Sequence, residues 1–123
     1  MTARTALAVA LTAFLSPALA GDIRAIDGDS LALGAERIRV LGVDTPEIAG
    51  RCPAEIALAR RARALTQALL DRGPVTIERA GRDRWGRTLA RVWIDGRDLA
   101  DLLIAAGLGR PYSGGRRQSW CRP

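Results

Sequence analysis

Histidine and lysine are absent from this sequence, and cysteine occurs only twice, as Cys52 and Cys121. Without histidine, and with two cysteines at most, a zinc centre of the usual ligand composition cannot be built. The same absence removes Ser-His-Asp and Cys-His nucleophile machinery and acid–base catalysis by imidazole. An enzyme made from this chain must work with carboxylates, arginines, hydroxyls and a hard cation. Long apolar runs are missing too. The longest, Ala6 to Leu15, is about half of the roughly twenty residues that a membrane-spanning helix needs.

Arginine supplies all nineteen basic side chains, against thirteen acids, for a formal charge of +6 over 123 residues. A planar guanidinium grips two oxygens at once, which suits phosphate recognition, and the positive balance admits polyanionic partners. The first twenty residues read as an export signal: Arg4, the apolar stretch, then Ser16-Pro17-Ala18-Leu19-Ala20, with small residues at Ala18 and Ala20 for cleavage before Gly21. The residue immediately after that point is Gly21 and not a cysteine that could carry a lipid, so no stable membrane association is expected after cleavage. The expected organisation is a signal at 1–20 and one domain at 21–123, periplasmic or secreted and monomeric. In an oxidising compartment the two cysteines are expected to join as a disulfide between Cys52 and Cys121.

Five β-like runs stand between short turns: Ile23 to Ile26, Ser30 to Leu33, Arg37 to Val43, Val75 to Arg79 and Leu89 to Ile94. Asp27-Gly28 and Gly34-Ala35 would join the first three as a meander. A helical segment from Pro53 to Leu70 follows the third run, with Leu58, Ala62, Leu65 and Leu69 as its apolar face and Gly73-Pro74 as its stop. A second helix begins after Asp98, a good N-cap, shows Leu99, Leu102, Leu103 and Ala106 on one face, and stops at Gly107. This order predicts an α+β fold: a five-stranded OB-fold barrel with a helix after strand three and a second after strand five.

Three clusters carry chemistry: Asp27-Gly28-Asp29-Ser30, the stretch Arg39 to Glu47 that ends Asp44-Thr45-Pro46-Glu47, and Asp83-Arg84-Trp85-Gly86-Arg87. Alone, each is ordinary. Asp-Gly-Asp makes hairpin turns, and Asp-Thr-Pro-Glu reads as a strand end before a helix start. Together they ask for a joint explanation, because Arg39 lies among apolar neighbours of both parities and an unpaired charge there would be costly. Hard carboxylate oxygens nearby suit calcium better than a soft metal.

These clusters, in this order and with a helix between the last two, resemble the thermonuclease (staphylococcal nuclease-like) family from Ile23 to about Tyr112. The resemblance implies a nuclease. Asp29, Asp44 and the backbone carbonyl of Thr45 match the positions that hold Ca2+. Glu47 matches the general base, and Arg39 and Arg87 match the arginines that grip the scissile phosphate. Trp85 matches an aromatic that stacks on a base, and Tyr112, at the far end of the match, is a second aromatic expected to meet the DNA or RNA substrate. The loop between Glu47 and the helix is shorter than in the family's best-known member. The competing reading is a non-catalytic OB-fold module binding single-stranded nucleic acid, but binding alone needs no acids facing a polyanion. A third, a disulfide-stapled domain for a protein partner, rests on fold analogy only.

Overall fold

Alternation of buried and exposed side chains sets the first strand. In β1 (Ile23–Asp27), Ile23 and Ala25 turn inward around an exposed Arg24. β2 (Ser30–Leu33) and β3 (Glu36–Val40) follow as an antiparallel meander, through turns at Gly28-Asp29 and Gly34-Ala35. The structure, a computed structural model, describes residues 22–121; the expected signal segment lies outside them.

The third apolar run is not one strand. It breaks after Val40 and resumes as β4 (Gly42–Asp44). Gly42 has φ +89, a left-handed conformation that glycine adopts without a steric penalty, and it turns the chain out of the first sheet. The remaining elements are α1 (Pro53–Arg72), β5 (Val75–Arg82), β6 (Thr88–Ile94), β7 (Arg97–Asp98), α2 (Leu99–Ala105) and β8 (Arg110–Tyr112). The main sheet has the order β1-β2-β3-β6-β5, with β7 beside β6 and one parallel pair, β3 with β6. It is open, its end strands β1 and β5 not pairing with each other, while β4 and β8 form a separate two-stranded sheet. The fold is therefore α+β with two helices. The expected closed five-stranded barrel is not seen among the described residues: the main sheet stays open between β1 and β5, and the end of the expected third strand pairs instead as β4 with β8.

Helix α1 starts where Cys52 caps it, the sulfur accepting the Glu55 N–H at 3.4 Å, and Pro53 occupies the first turn. Its buried face is Glu55, Ala59, Ala62, Thr66 and Leu70, rotated from the expected face of Leu58, Ala62, Leu65 and Leu69. Three contacts explain the rotation. The Thr66 hydroxyl donates to the Gly28 carbonyl at 2.8 Å. The Gln67 side chain accepts from the Ala25 N–H at 2.8 Å, satisfying a donor on the edge strand β1. Ala62 lets the helix sit so close that a Cβ at Gly28 would come within 2.9 Å of Ala62 and Thr45. Leu65 and Leu69 keep partial contact with the core.

The core gathers Leu31, Ile38, Val40, Val43, Val92, Leu99 and Leu103, all fully enclosed. Each such side chain contributes about 1.5–3 kcal/mol relative to exposure. Asp98 caps α2 by accepting the Ala100 N–H at 2.9 Å, and Gly107 follows its end with φ +73, both as expected. No described helix is long and apolar enough to cross a membrane.

Candidate active site

The break at Gly42 builds the site. It carries Asp44 and Thr45 past the end of β3, to where the β1–β2 turn presents Asp29. The Thr45 N–H donates to Asp29 Oδ2 at 2.9 Å, and Arg39 Nη1 lies 3.0 Å from the same oxygen. Asp29, Arg39, Asp44 and Thr45 are all buried. Alternation along β3 explains Arg39: Ile38 and Val40 face the core, so Arg39 faces the opposite side, where β4 crosses. Its Nη1 also donates to the carbonyls of Val40 and Val43, each at 3.0 Å. Among the described residues, no acceptor is bonded to Nη2 or Nε. Tyr112 on β8 lies under the guanidinium, 5.7 Å from ring centre to Cζ.

Burial pushes the Asp29 carboxyl above its ordinary range, and the Arg39 charge and the Thr45 N–H only partly counter it, with Asp44 and Asp27 adding to the rise. One guanidinium therefore does not fully compensate this buried acid. Asp27 serves the frame, its Oδ1 accepting the Ile48 N–H at 2.9 Å.

Beyond Asp44 and Thr45 opens a cleft of about 440 Å³, lined also by Glu47, Glu55, Arg117 and Trp120. Glu47 is half-exposed and receives Arg117 Nη1 on Oε1 at 2.9 Å. Arg117 also stands 3.5 Å from Asp44 Oδ1, and the Trp120 indole N–H donates to Asp44 Oδ2 at 3.1 Å. Desolvation of Arg117 is outweighed by Glu47 and Asp44, so its proton is held more tightly than usual.

Arg87 precedes β6. Leu89, two residues on, is the register partner of Arg39, which sets Arg87 beside the strand that carries Arg39. Its contacts are with its own turn: Nε donates to Asp83 Oδ2 at 2.7 Å, and its guanidinium lies 5.6 Å from the Trp85 ring. The backbone N–H groups of Trp85 and Arg87 both donate to Asp83 Oδ1, which fixes the turn. Trp85 is 68% exposed, the one large apolar side chain presented to solvent among the described residues. Asp29, Arg39 and Thr45 thus form one bonded cluster; Asp44, next to Thr45 in the chain, is joined to Glu47 through Arg117, whereas Arg87 and Trp85 form a separate group.

Cys52 and Cys121 are bonded to each other. The bond closes a span of 69 residues, which in the chain-entropy account stabilises the fold by about 4 kcal/mol. It also spends the sulfurs of the group Cys52, Glu55 and Cys121, whose ligand atoms cluster within 4.8 Å, so that group is not a metal centre.

Residues 37–119 match the family described as Staphylococcal nuclease homologue. The chain belongs to that family. It is 34% identical over 93 residues to a thermonuclease of Staphylococcus intermedius, covering 71% of this chain and 55% of that protein. It is 32% identical over 94 residues to the endonuclease YncB of Bacillus subtilis, covering 71% and 44%. It is also 36% identical over 93 residues to the succinoglycan biosynthesis protein ExoI of Rhizobium meliloti, covering 71% and 49%. The chain spans about half the length of these curated relatives. Of the cleft residues that the sequence reading did not place in the site, Glu55, Arg117 and Trp120 contact those that it did. Glu55 is buried and accepts the N–H groups of Glu47 at 3.3 Å and Arg51 at 2.9 Å, so it holds the backbone of Glu47 in place. Its signal was visible as an acid three residues after the N-cap, the capping-box position. Trp120 had only the adjacent Cys121 to point to it, and Arg117 only its place in the Gly- and Arg-rich tail.

Proposed function

We propose that this chain is an exported nuclease that hydrolyses phosphodiester bonds of DNA or RNA with the help of calcium. The observation that carries the reading is the buried Asp29–Arg39 pair bonded to Thr45, with Asp44 and Glu47 opening onto one cleft. A binding surface for a polyanion gains nothing from three acids at its centre; a hydrolytic site needs them. The family supports the same reading, and its relatives named thermonuclease and endonuclease support a nucleic-acid substrate.

Asp29, Asp44 and the main-chain carbonyl of Thr45 are the groups that would hold calcium. They fit it: all are hard oxygen donors, and the incompletely compensated charge of buried Asp29 favours a further cation. Bound there, calcium would supply positive charge against the phosphoryl oxygens. Glu47 orients a water and takes its proton as the water oxygen bonds to phosphorus, while the bond to the leaving sugar oxygen breaks and that oxygen is protonated from solvent. A base so placed is worth roughly 10²–10⁴ in rate. Arg39, anchored through Nη1, directs Nη2 and Nε at the phosphate, and Arg87 meets it from the neighbouring strand. Trp85 offers an exposed face for a base, and Tyr112, beneath Arg39, borders the same track.

The finer architecture belongs to the same proposal. The five main strands β1, β2, β3, β5 and β6 correspond to those of an OB barrel, in the domain 21–123 behind a cleaved signal at 1–20. The protein acts as a monomer in the periplasm or outside the cell. The test is incubation of the purified protein with single- and double-stranded DNA and with RNA, each with calcium and with a chelator. Calcium-stimulated cleavage is expected. Binding without cleavage of any substrate would leave only the non-catalytic module.

A further inference from the structure

The segment after β8 is tied down at every few residues. The Tyr112 hydroxyl donates to the Gly115 carbonyl at 2.6 Å, Arg117 reaches Glu47, and Arg110 Nη1 donates to the Ser119 carbonyl at 3.0 Å. Trp120 is fixed from three directions. The Arg110 guanidinium stacks on its ring at 3.7 Å, a favourable cation–aromatic geometry. Its indole N–H ends on Asp44 Oδ2. The next residue, Cys121, is covalently joined to Cys52 at the start of α1. Arg110 is in turn the register partner of Asp44 in the β4–β8 pair, so the contacts close a ring: Asp44 to Arg110 through the backbone, Arg110 to Trp120, and Trp120 back to the Asp44 carboxylate.

We propose that Trp120 is a positioning residue for Asp44: its indole N–H holds one carboxylate oxygen, so that the other faces the cleft for the cation. The proposal rests on the reading of Asp44 as a calcium ligand. Asp44 is buried with its carboxylate at the cleft wall, and a carboxylate free to rotate would present either oxygen or neither. The indole removes that freedom at Oδ2, leaving Oδ1, which stands 3.5 Å from Arg117 Nη1. Partners that orient a metal ligand in this way typically account for 10–100-fold in metal affinity. The disulfide restrains the backbone that carries the indole, since the covalent anchor is one residue away.

The test is Trp120→Phe, which keeps an aromatic ring, though a smaller one, for Arg110 to stack on and removes the donor. Calcium affinity is measured by isothermal titration calorimetry, and thermal stability is measured in chelator. The expected result is about a tenfold loss of calcium affinity, with the melting temperature in chelator unchanged within a few degrees. A purely structural tryptophan would move the melting temperature and leave affinity alone. The double variant Cys52→Ser, Cys121→Ser frees the same segment and should weaken calcium binding at least as much as Trp120→Phe. Equal calcium affinity in Trp120→Phe and the unaltered protein would overturn the proposal while leaving Asp44 as a ligand. Absence of calcium binding by the unaltered protein would overturn the calcium reading and the proposal together.

Discussion

Arg39 combines two tasks that a single substitution can separate. Its Nη1 is structural: it neutralises Asp29 at 3.0 Å and satisfies the carbonyls of Val40 and Val43. Its Nη2 and Nε are the atoms proposed to meet phosphate. Replacing Arg39 by Met removes both, stranding a buried carboxylate, and such losses cost about 3–5 kcal/mol, a large share of a small domain's stability. Arg39→Lys keeps a charge and a donor roughly where Nη1 stands, about one bond short. Its folding cost should be about 1–2 kcal/mol, or roughly 5–15 °C in melting temperature for a domain of this size. It cannot supply the second nitrogen of the fork. Turnover should therefore fall by about 10²–10³, the usual worth of one preorganised donor to developing charge. Melting followed by circular dichroism and turnover at saturating calcium, on Arg39→Lys and Arg39→Met side by side, read the two tasks separately. The reasoning fails if Arg39→Lys retains turnover within threefold, or if it unfolds as readily as Arg39→Met.

Glu47→Gln should lower turnover by roughly 10²–10⁴ while substrate affinity stays near its original value, because a base acts mainly in the transition state; unchanged turnover removes Glu47 from that role. Trp85→Ala should leave the melting temperature almost unchanged, since the side chain is largely exposed, and weaken single-stranded DNA or RNA binding by about 1–3 kcal/mol in a fluorescence titration. Unaltered binding would assign the stacking elsewhere. Glu36 accepts from Arg79 Nε and Nη2 and from Thr88 Oγ1, and these donors, Arg79 foremost, bring its carboxyl from 4.5 down to about 2. A lowered carboxylate contributes stability above its unfolded value, and that contribution is lost as pH falls from about 4.5 through 2. Because Arg79 is half-exposed and screened, the contribution is about 1 kcal/mol, and Glu36→Gln should flatten acid denaturation across that range by no more than this.

Where sequence reading succeeded, the cause was local. Asp98 caps α2 because its side chain needs only the N–H two residues on, and Pro53 and Gly73-Pro74 bracket α1 through backbone restrictions that act on neighbours. The two hairpins were equally legible; the Cys52–Cys121 bond, 69 residues across, was legible only because the chain has two cysteines to pair. The split of the third strand was not, since Leu41 and Val43 continue the apolar run and only the φ of Gly42 marks the turn. The face of α1 misled for a different reason. Hydrophobic spacing favours Leu65 and Leu69, whereas tertiary hydrogen bonds from Thr66 and Gln67 to β1 and its turn fix the rotation. Within the candidate site, Asp29, Arg39 and Thr45 are bonded together, but the side-chain contacts of Asp44 arrive from Trp120 and Arg117, over seventy residues away in sequence. No local period encodes a contact of that span.

The polar choice on α1 also bears on the site. A leucine face would have held the helix away from β1 by the width of its side chains; Ala59, Ala62 and Thr66 bring it down onto the β1–β2 turn. Thr66 then bonds the carbonyl of Gly28, the residue immediately before Asp29, and Ala62 and Thr45 close over Gly28 so tightly that no Cβ fits. The same helix, at its first turn, places Glu55 under the backbone of Glu47 and starts from the cysteine that anchors Trp120. One element thus fixes Asp29 from its middle and Glu47 and Asp44 from its start. Its buried face of Glu55, Ala59, Ala62, Thr66 and Leu70 is small and partly polar, which suits that placement, and the disulfide adds stability of its own.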